Sequence, residues 1–92
     1  MSILHDAAEN NAPAELTRLL QTGADADTRD ESGRTPLMSA CRSGHETCAR
    51  LLIQAGADIN ATVDEGETAL TLAVQEGHAG CVRLLRAAGA HE

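Results

Sequence analysis

The sequence contains no phenylalanine, tyrosine or tryptophan, so its apolar contacts must come from aliphatic residues, methionine and cysteine. Such side chains fill closely stacked helices better than one thick core, and a chain of 92 residues buries only about 60% of its unfolded surface. Lysine is absent too, because all seven basic residues are arginine. This excludes a Schiff-base lysine and the lysine of a phosphate-binding loop. No apolar run approaches the roughly 20 residues that a membrane-spanning helix needs.

Positive charge is also scarce, since 14 acidic residues outnumber the seven arginines and give a formal net charge of -7. Nucleic acid is therefore disfavoured as a partner, because phosphate binding requires a basic surface. The three cysteines cannot all pair within one chain, and no signal-peptide pattern precedes them. We predict a reducing, cytoplasmic setting with free thiols.

A period of 33 residues dominates the chain. Four series of identical residues follow it: Leu4, Leu37 and Leu70; Ala7, Ala40 and Ala73; Leu19, Leu52 and Leu85; Gly23, Gly56 and Gly89. A period of this length indicates stacked helical units, each too small to bury its apolar face alone. The sequence therefore predicts a solenoid built from three copies.

Two motifs in the middle copy resemble those of the ankyrin repeat family. Thr35-Pro36-Leu37-Met38 is similar to the family's T-P-L-H start, and Gly56-Ala57-Asp58-Ile59-Asn60 to its closing G-A-D-V-N. The resemblance runs from about Ile3 to Ala90. It implies an all-α solenoid of three helix-turn-helix repeats joined by β-hairpin loops, forming one domain over residues 1–92. The repeats would span about 1–29, 30–62 and 63–92.

Local signals place the ends of the helices. Ser2, Thr35 and Thr68 are predicted N-caps, Pro13 suits a first helical position, and Gly23 suits a left-handed position after a helix. Together with the apolar spacing, these signals predict six helices, at residues 3–10, 13–22, 36–43, 46–55, 69–76 and 79–88.

The two ends of the predicted stack differ. Glu15 and Arg18 stand where the second copy has Cys48 and Leu51, which gives the first copy a side suited to water. The third copy lacks such a cap, so we expect exposed apolar surface on its outer side. Two hypotheses follow from this surface, namely self-association and truncation of a longer array.

The pairs His45-x-x-Cys48 and His78-x-x-Cys81 contain residues that bind zinc. A structural interpretation is favoured, because neighbouring helix axes lie about 8–10 Å apart, too far for four ligands around one ion. The same separation argues against a disulfide between Cys48 and Cys81. We predict no metal or cofactor.

No phosphate-binding loop, nucleophile elbow or paired-carboxylate motif is present, and the three cysteines fall on predicted core faces, so we predict no enzymatic activity. His5 stands at the family's T-P-L-H histidine, which implies a structural hydrogen bond. Met38 and Thr71 replace that histidine in the later copies, and we expect these departures to weaken the hydrogen-bond lattice between repeats.

The resemblance implies that partners are contacted by the hairpin tips and by the exposed ends of the inner helices. Carried onto this sequence, the two hairpin tips are called the first and second fingers. The first finger contains Arg29, Glu31, Ser32 and Arg34, and the second contains Thr62, Asp64, Glu65 and Glu67. The inner-helix positions are Glu9, Asn10, Arg42, Ser43, Gln75 and Glu76. Because tyrosine and tryptophan are absent, Arg34 and Arg42 are the best predicted anchors.

The function that follows is a non-enzymatic protein–protein interaction module, which binds a partner protein through its concave face and needs no membrane or nucleic acid. Three alternatives stay open. The chain could be a truncated or engineered repeat unit without a partner, a homo-oligomer that associates through its third repeat, or a metal-responsive module.

Overall fold

A computed structural model describes residues 3–90, which form three helix-turn-helix pairs. The helices are α1 (Ile3–Glu9), α2 (Pro13–Gln21), α3 (Pro36–Ser43), α4 (Glu46–Gln54), α5 (Ala69–Gln75) and α6 (Ala79–Ala87). All six predicted helices are present, and five of them end one residue earlier than predicted. The predicted cap at Ser2 lies outside the described residues.

The pairs stack in two rows. The inner row contains α1, α3 and α5, and the outer row contains α2, α4 and α6, with each helix packed against the next in its row. Small side chains allow this close approach: Ala40 and Ala73 are both 0% exposed. Leucines of both rows, Leu37, Leu52 and Leu85 among them, complete one continuous core. The alternating rows explain the 33-residue period, since each copy contributes one helix to each row.

The helices begin and end at the capping residues expected from the sequence. The Thr35 hydroxyl accepts a hydrogen bond from the Met38 N–H at 3.3 Å, and Pro36 follows as the first helical residue. Gly23, Gly56 and Gly89 adopt φ angles of 98°, 91° and 100°, the left-handed conformation in which glycine carries no side-chain penalty.

Thr71 has a local role that the sequence analysis did not predict. Its hydroxyl accepts from the Thr68 N–H at 2.7 Å, while the Thr68 hydroxyl accepts from the Thr71 N–H at 3.2 Å. This reciprocal capping box satisfies two backbone donors at the start of α5. Thr71 therefore strengthens its own helix terminus.

The fingers expected as β-hairpins are tight turns, and residues 3–90 contain no β-strand. Two backbone hydrogen bonds close each turn. In the first, Asp30 N donates to Arg34 O and Gly33 N donates to Asp30 O, both at 3.0 Å; in the second, Val63 N donates to Glu67 O at 3.0 Å and Gly66 N donates to Val63 O at 2.8 Å. Turns this short leave no room for a ladder of paired residues. Among the described residues, no helix is long and apolar enough to cross a membrane.

Candidate partner-binding face

Three histidines hold consecutive repeats in register. His5 Nε2 lies 2.6 Å from the Arg34 carbonyl oxygen, His45 Nε2 lies 2.9 Å from that of Glu9, and His78 Nε2 lies 3.0 Å from that of Arg42. The structural role predicted for these rings is confirmed. The described residues 3–90 contain no group of three or more residues suited to hold a metal ion.

The three cysteines are buried free thiols, as predicted. The Cys41 and Cys81 thiols influence each other, which the sequence analysis missed because it compared only residues at equivalent positions of the repeat. The interaction with Cys81, together with burial, raises the pKa of the Cys41 thiol, and the interaction with Cys41 lowers the pKa of Cys81. Burial raises the pKa of Cys48.

The first finger is organised by a carboxylate that the sequence analysis did not single out. Asp30 Oδ1 accepts hydrogen bonds from the backbone N–H groups of Ser32 at 2.9 Å and Arg34 at 3.0 Å. Burial acts to raise the pKa of Asp30, but these bonds and the charges of His5 and Arg34 outweigh burial and lower it below the usual value. The pattern Asp30-x-Ser32 in a polar loop is typical of such a turn and could have revealed it.

Arg29 links the two fingers. Its Nη1 donates to the carbonyl oxygens of Gly33 at 2.9 Å and Thr62 at 2.7 Å. Two of the predicted contact residues, Arg29 and Thr62, are thus brought together across 33 positions of sequence. A second link is a 2.7 Å hydrogen bond from the Asp58 N–H to the Asp27 carboxylate. These bonds align the finger tips along one side of the stack.

Most of the predicted contact residues are accessible. Arg34 and Glu67, which occupy equivalent positions at the closing end of each turn, are half-buried. The other ten are exposed: Arg29, Glu31, Ser32, Arg42, Ser43, Thr62, Asp64, Glu65, Gln75 and Glu76. Glu9 and Asn10 are exposed as well.

A groove of about 720 Å³ lies between α1 and the first finger. It is lined by His5, Asp6, Glu9, Thr28, Arg29, Asp30, Glu31 and Ser32. The fold thus brings Glu9 into one groove with three predicted finger residues. The groove is also lined by Asp6, Thr28 and Asp30, which the sequence analysis did not select. The predicted residues of α3, α5 and the second finger lie outside this groove.

The groove is acidic. Four of its lining residues are carboxylates, Asp6, Glu9, Asp30 and Glu31, against the single arginine Arg29. The positive charge of a guanidinium is delocalised over three nitrogens, and Arg29 directs one of them, Nη1, to backbone carbonyls of the fingers. Carboxylates facing a shared cleft with little opposing charge attract cationic groups.

The outer side of the third repeat has the exposed apolar surface expected from the sequence. Val74 is 50% exposed, and it lines a shallow cavity of about 370 Å³ together with Ala73, Val82, Arg83 and Arg86, among others. The first repeat also matches expectation, because Glu15 and Arg18 form an exposed ion pair on α2.

Comparison with known proteins agrees with this architecture. Residues 4–91 match the family model described as ankyrin repeats in three copies. The crystal structure of the human ASB11 ankyrin repeat domain superposes with a TM-score of 0.93 at 33% sequence identity, over 99% of this chain and 41% of that chain.

Two plant proteins share sequence with part of the chain. The ADP-ribosylation factor GTPase-activating protein AGD2 of Arabidopsis thaliana is 45% identical over 51 residues, which are 55% of this chain and 7% of that protein. The probable E3 ubiquitin-protein ligase XBOS33 of Oryza sativa subsp. japonica is 43% identical over 51 residues, which are 55% of this chain and 10% of that protein. The matched segment is therefore a small part of each relative.

Proposed function

This chain belongs to the ankyrin repeat family, and from that premise we propose that it is a non-enzymatic module whose concave face binds a basic segment of a partner protein. Ankyrin repeats are in general protein–protein interaction modules. The observation that carries the choice of partner is the groove between α1 and the first finger, where four carboxylates face one arginine.

Acidic residues of the proposed concave face also lie outside this groove. Asp64, Glu65 and Glu76 are exposed on the second finger and at the end of α5, so acidic residues lie at both ends of the face. A partner segment rich in arginine or lysine complements this pattern, and long-range attraction raises its association rate. Net positive charge on the partner also fits the net charge of -7 on this chain.

Arg34 and Arg42 are proposed anchors between the two acidic ends. Arg42 is exposed on α3, and Arg34 is half-buried at the base of the first finger. Guanidinium groups bind carbonyl oxygens and aromatic faces, so these two residues suit backbone and aromatic groups of the partner segment. Any aromatic anchor must come from the partner, because this chain has none.

Preorganisation supports binding by modest contacts. The fingers are held by the Asp30 turn and by the Arg29 link before any partner arrives. A rigid surface loses little conformational entropy on docking, so more of the contact energy remains as affinity. We place this module in the cytoplasm, a proposal supported by its three free cysteines.

Fluorescence anisotropy with labelled peptides of equal length, one basic, one acidic and one uncharged, tests the proposal. We expect the basic peptide to bind most tightly and to lose affinity as ionic strength rises. Glu31→Lys in the groove should weaken binding about tenfold, or about 1.4 kcal/mol. Arg34→Gln and Arg42→Gln together remove the proposed guanidinium contacts without adding carboxylates, and they should also weaken binding, with little change in the melting curve.

Matched controls carry the same charge changes on the outer row. Glu15→Lys and the double variant Arg18→Gln with Arg50→Gln alter exposed ion pairs on α2 and α4, and such pairs contribute little to stability. We expect both controls to bind the basic peptide within about twofold of the parent protein. Equal affinity for the acidic peptide, or equal losses from groove and control variants, would rule out the groove as the binding site.

A second candidate function is self-association through the outer side of the third repeat. Val74 is half exposed there, beside the partly buried Val82. Apolar surface left open at the end of a stack favours contact with another apolar surface.

A further inference from the structure

The outer side of the third repeat continues the surface on which the third repeat itself is stacked. Its cavity is lined by Ala73, Val74, Gly77, Ala79, Val82, Arg83 and Arg86. The residues 33 positions earlier are Ala40, Cys41, Gly44, Glu46, Ala49, Arg50 and Ile53. On the second repeat Cys41 is 0% exposed, whereas the equivalent Val74 is 50% exposed. The third repeat therefore leaves open a surface that the second repeat buries.

A histidine forms part of each interface between repeats. His45 Nε2 donates to the Glu9 carbonyl oxygen at 2.9 Å, and His78 Nε2 donates to that of Arg42 at 3.0 Å. The His78 ring also lies against Gly44. A docked repeat thus presents an imidazole N–H to the end of the preceding inner helix.

The third repeat offers the same two groups to an incoming imidazole. Gln75, the last residue of α5, is exposed and lies 33 positions after Arg42, so its carbonyl oxygen is the equivalent acceptor. Gly77 is equivalent to Gly44 and has a φ angle of 75° against 79°. Within residues 3–90, nothing lies within 4 Å of a methyl group placed on Gly77. The acceptor and the space above the glycine are both accessible.

The charge of this side differs from that of the covered interface. Arg50 forms an ion pair with Glu46 at 3.4 Å, and the equivalent residues of the third repeat are Arg83 and Ala79. The arginine is kept but its carboxylate is lost, and Arg83 has no ion pair within residues 3–90. Arg86 adds a second positive charge on the same helix. Such a surface complements an occupant that carries negative charge.

The covered interface also shows where that negative charge belongs. A methyl group placed on Gly80, the second residue of α6, would meet the Glu46 carboxylate and lie 3.1 Å from its Cδ. A side chain at this position of a docked unit therefore enters the space that the Glu46 carboxylate occupies. On the third repeat Ala79 replaces Glu46, so a carboxylate from the docked unit fits there, beside Arg83.

We propose that the outer side of the third repeat binds a helix pair of a partner protein, whose second helix follows a histidine and carries a carboxylate two residues after it. The histidine donates to the Gln75 carbonyl oxygen and packs on Gly77. The carboxylate pairs with Arg83, and apolar side chains cover Val74. This site shares no lining residue with the groove between α1 and the first finger, so it is a second binding site of the module.

A second copy of this chain meets these requirements poorly. Two third repeats that face each other bring the arginines at positions 83 and 86 of both copies together. A first repeat has Ala12 at the position of the histidine and Ala14 at the position of the carboxylate. Neither contact supplies both groups, which favours a different protein as the occupant.

A tethered probe tests the site without the partner. A copy of residues 60–92 joined after residue 92 continues the 33-residue register, and the tether gives the copy a high effective concentration. With Gly80→Glu the copy carries both the histidine and the carboxylate. We expect this extended chain to melt at least about 4 °C above the parent chain. The gain from Gly80→Glu in the copy should disappear when the parent part carries Arg83→Gln.

Substitutions in the parent part assign the other contacts. Gly77→Ala should lower the melting temperature by at least about 4 °C more in the extended chain than in the parent chain. This excess should disappear when the appended copy carries His78→Ala. Val74→Lys should lower the melting temperature only in the extended chain, because the side chain is exposed in the parent chain.

Four results would overturn the proposal. An extended chain that melts no higher than the parent chain rejects docking at this site. Equal effects of Gly77→Ala in both chains reject the histidine contact, and a gain from Gly80→Glu that survives Arg83→Gln rejects the ion pair. A melting temperature of the parent chain that rises with its concentration at low ionic strength would show that a second copy occupies the surface.

Discussion

At the scale of single residues, Gly44 is needed for two separate reasons. Its φ angle of 79° lies in the left-handed region, and a methyl group placed on it would lie 2.7 Å from Nδ1 of the His78 ring. Gly77 occupies the equivalent position in the third repeat with a φ of 75°, but nothing lies within 4 Å of the same added methyl. The His78 ring therefore lies against Gly44, whereas no group lies equally close to the equivalent Gly77.

Gly77→Ala should cost only the backbone strain, about 1–2 kcal/mol. Gly44→Ala should cost about 1 kcal/mol more, because the ring must move and its hydrogen bond to the Arg42 carbonyl is weakened. Urea unfolding of both variants measures the difference. Equal destabilisation would mean that the contact between His78 and Gly44 contributes nothing to stability.

At the scale of one element, the first finger depends on a charge that the second finger lacks. Asp30 holds two backbone N–H groups, and the equivalent residue of the second finger is Val63. Asp30→Ala should destabilise the protein by about 1–2 kcal/mol at neutral pH, because two hydrogen bonds to a carboxylate are lost. Thermal or urea unfolding at pH 7 provides this value.

The pH dependence has a definite sign. The pKa of Asp30 is lowered in the folded protein, so its stabilisation is complete above the unfolded pKa of about 3.9 and is lost as the pH falls through the folded pKa. The stability difference between the parent protein and Asp30→Asn should therefore shrink below about pH 4. Asp64→Asn on the second finger makes the same change in net charge and is the control. A difference that stays constant down to pH 2 contradicts the role assigned to the carboxylate.

At the scale of the whole molecule, the two ends of the stack have opposite character. The first repeat carries the Glu15–Arg18 ion pair on α2, whereas the third repeat exposes Val74 beside Arg83 and Arg86. Contact between two copies through their third repeats buries the valines but brings arginines together. Salt screens that repulsion, so association should increase with ionic strength.

Sedimentation velocity at two protein concentrations and two salt concentrations measures this association. Val74→Lys should abolish it. Ile3→Lys changes the other large apolar residue found exposed among residues 3–90, at 66% exposure on α1, and should leave it intact. Loss of association in both variants would indicate head-to-tail contact, and a monomer under every condition would remove the self-association candidate.

The fold was almost wholly predictable, because the signals that specify it are local and occur three times. Apolar spacing, threonine and proline at helix starts and glycine after helix ends placed every helix within one residue of its observed end. The candidate face was less predictable. Its accessible positions could be named from the resemblance, but the joining of Glu9 with Glu31 in one groove depends on how α1 lies against the first finger.

By itself, the sequence determined the number of repeats, the helices, the burial of the alanines between inner helices and the acidic character of the surface, since each depends on residue type and spacing. Only the tertiary structure decided which distant groups meet. Arg29 reaching Thr62 and His78 covering Gly44 follow from the offset between stacked repeats, and a side chain's partner in the next repeat depends on that offset as well as on its own identity.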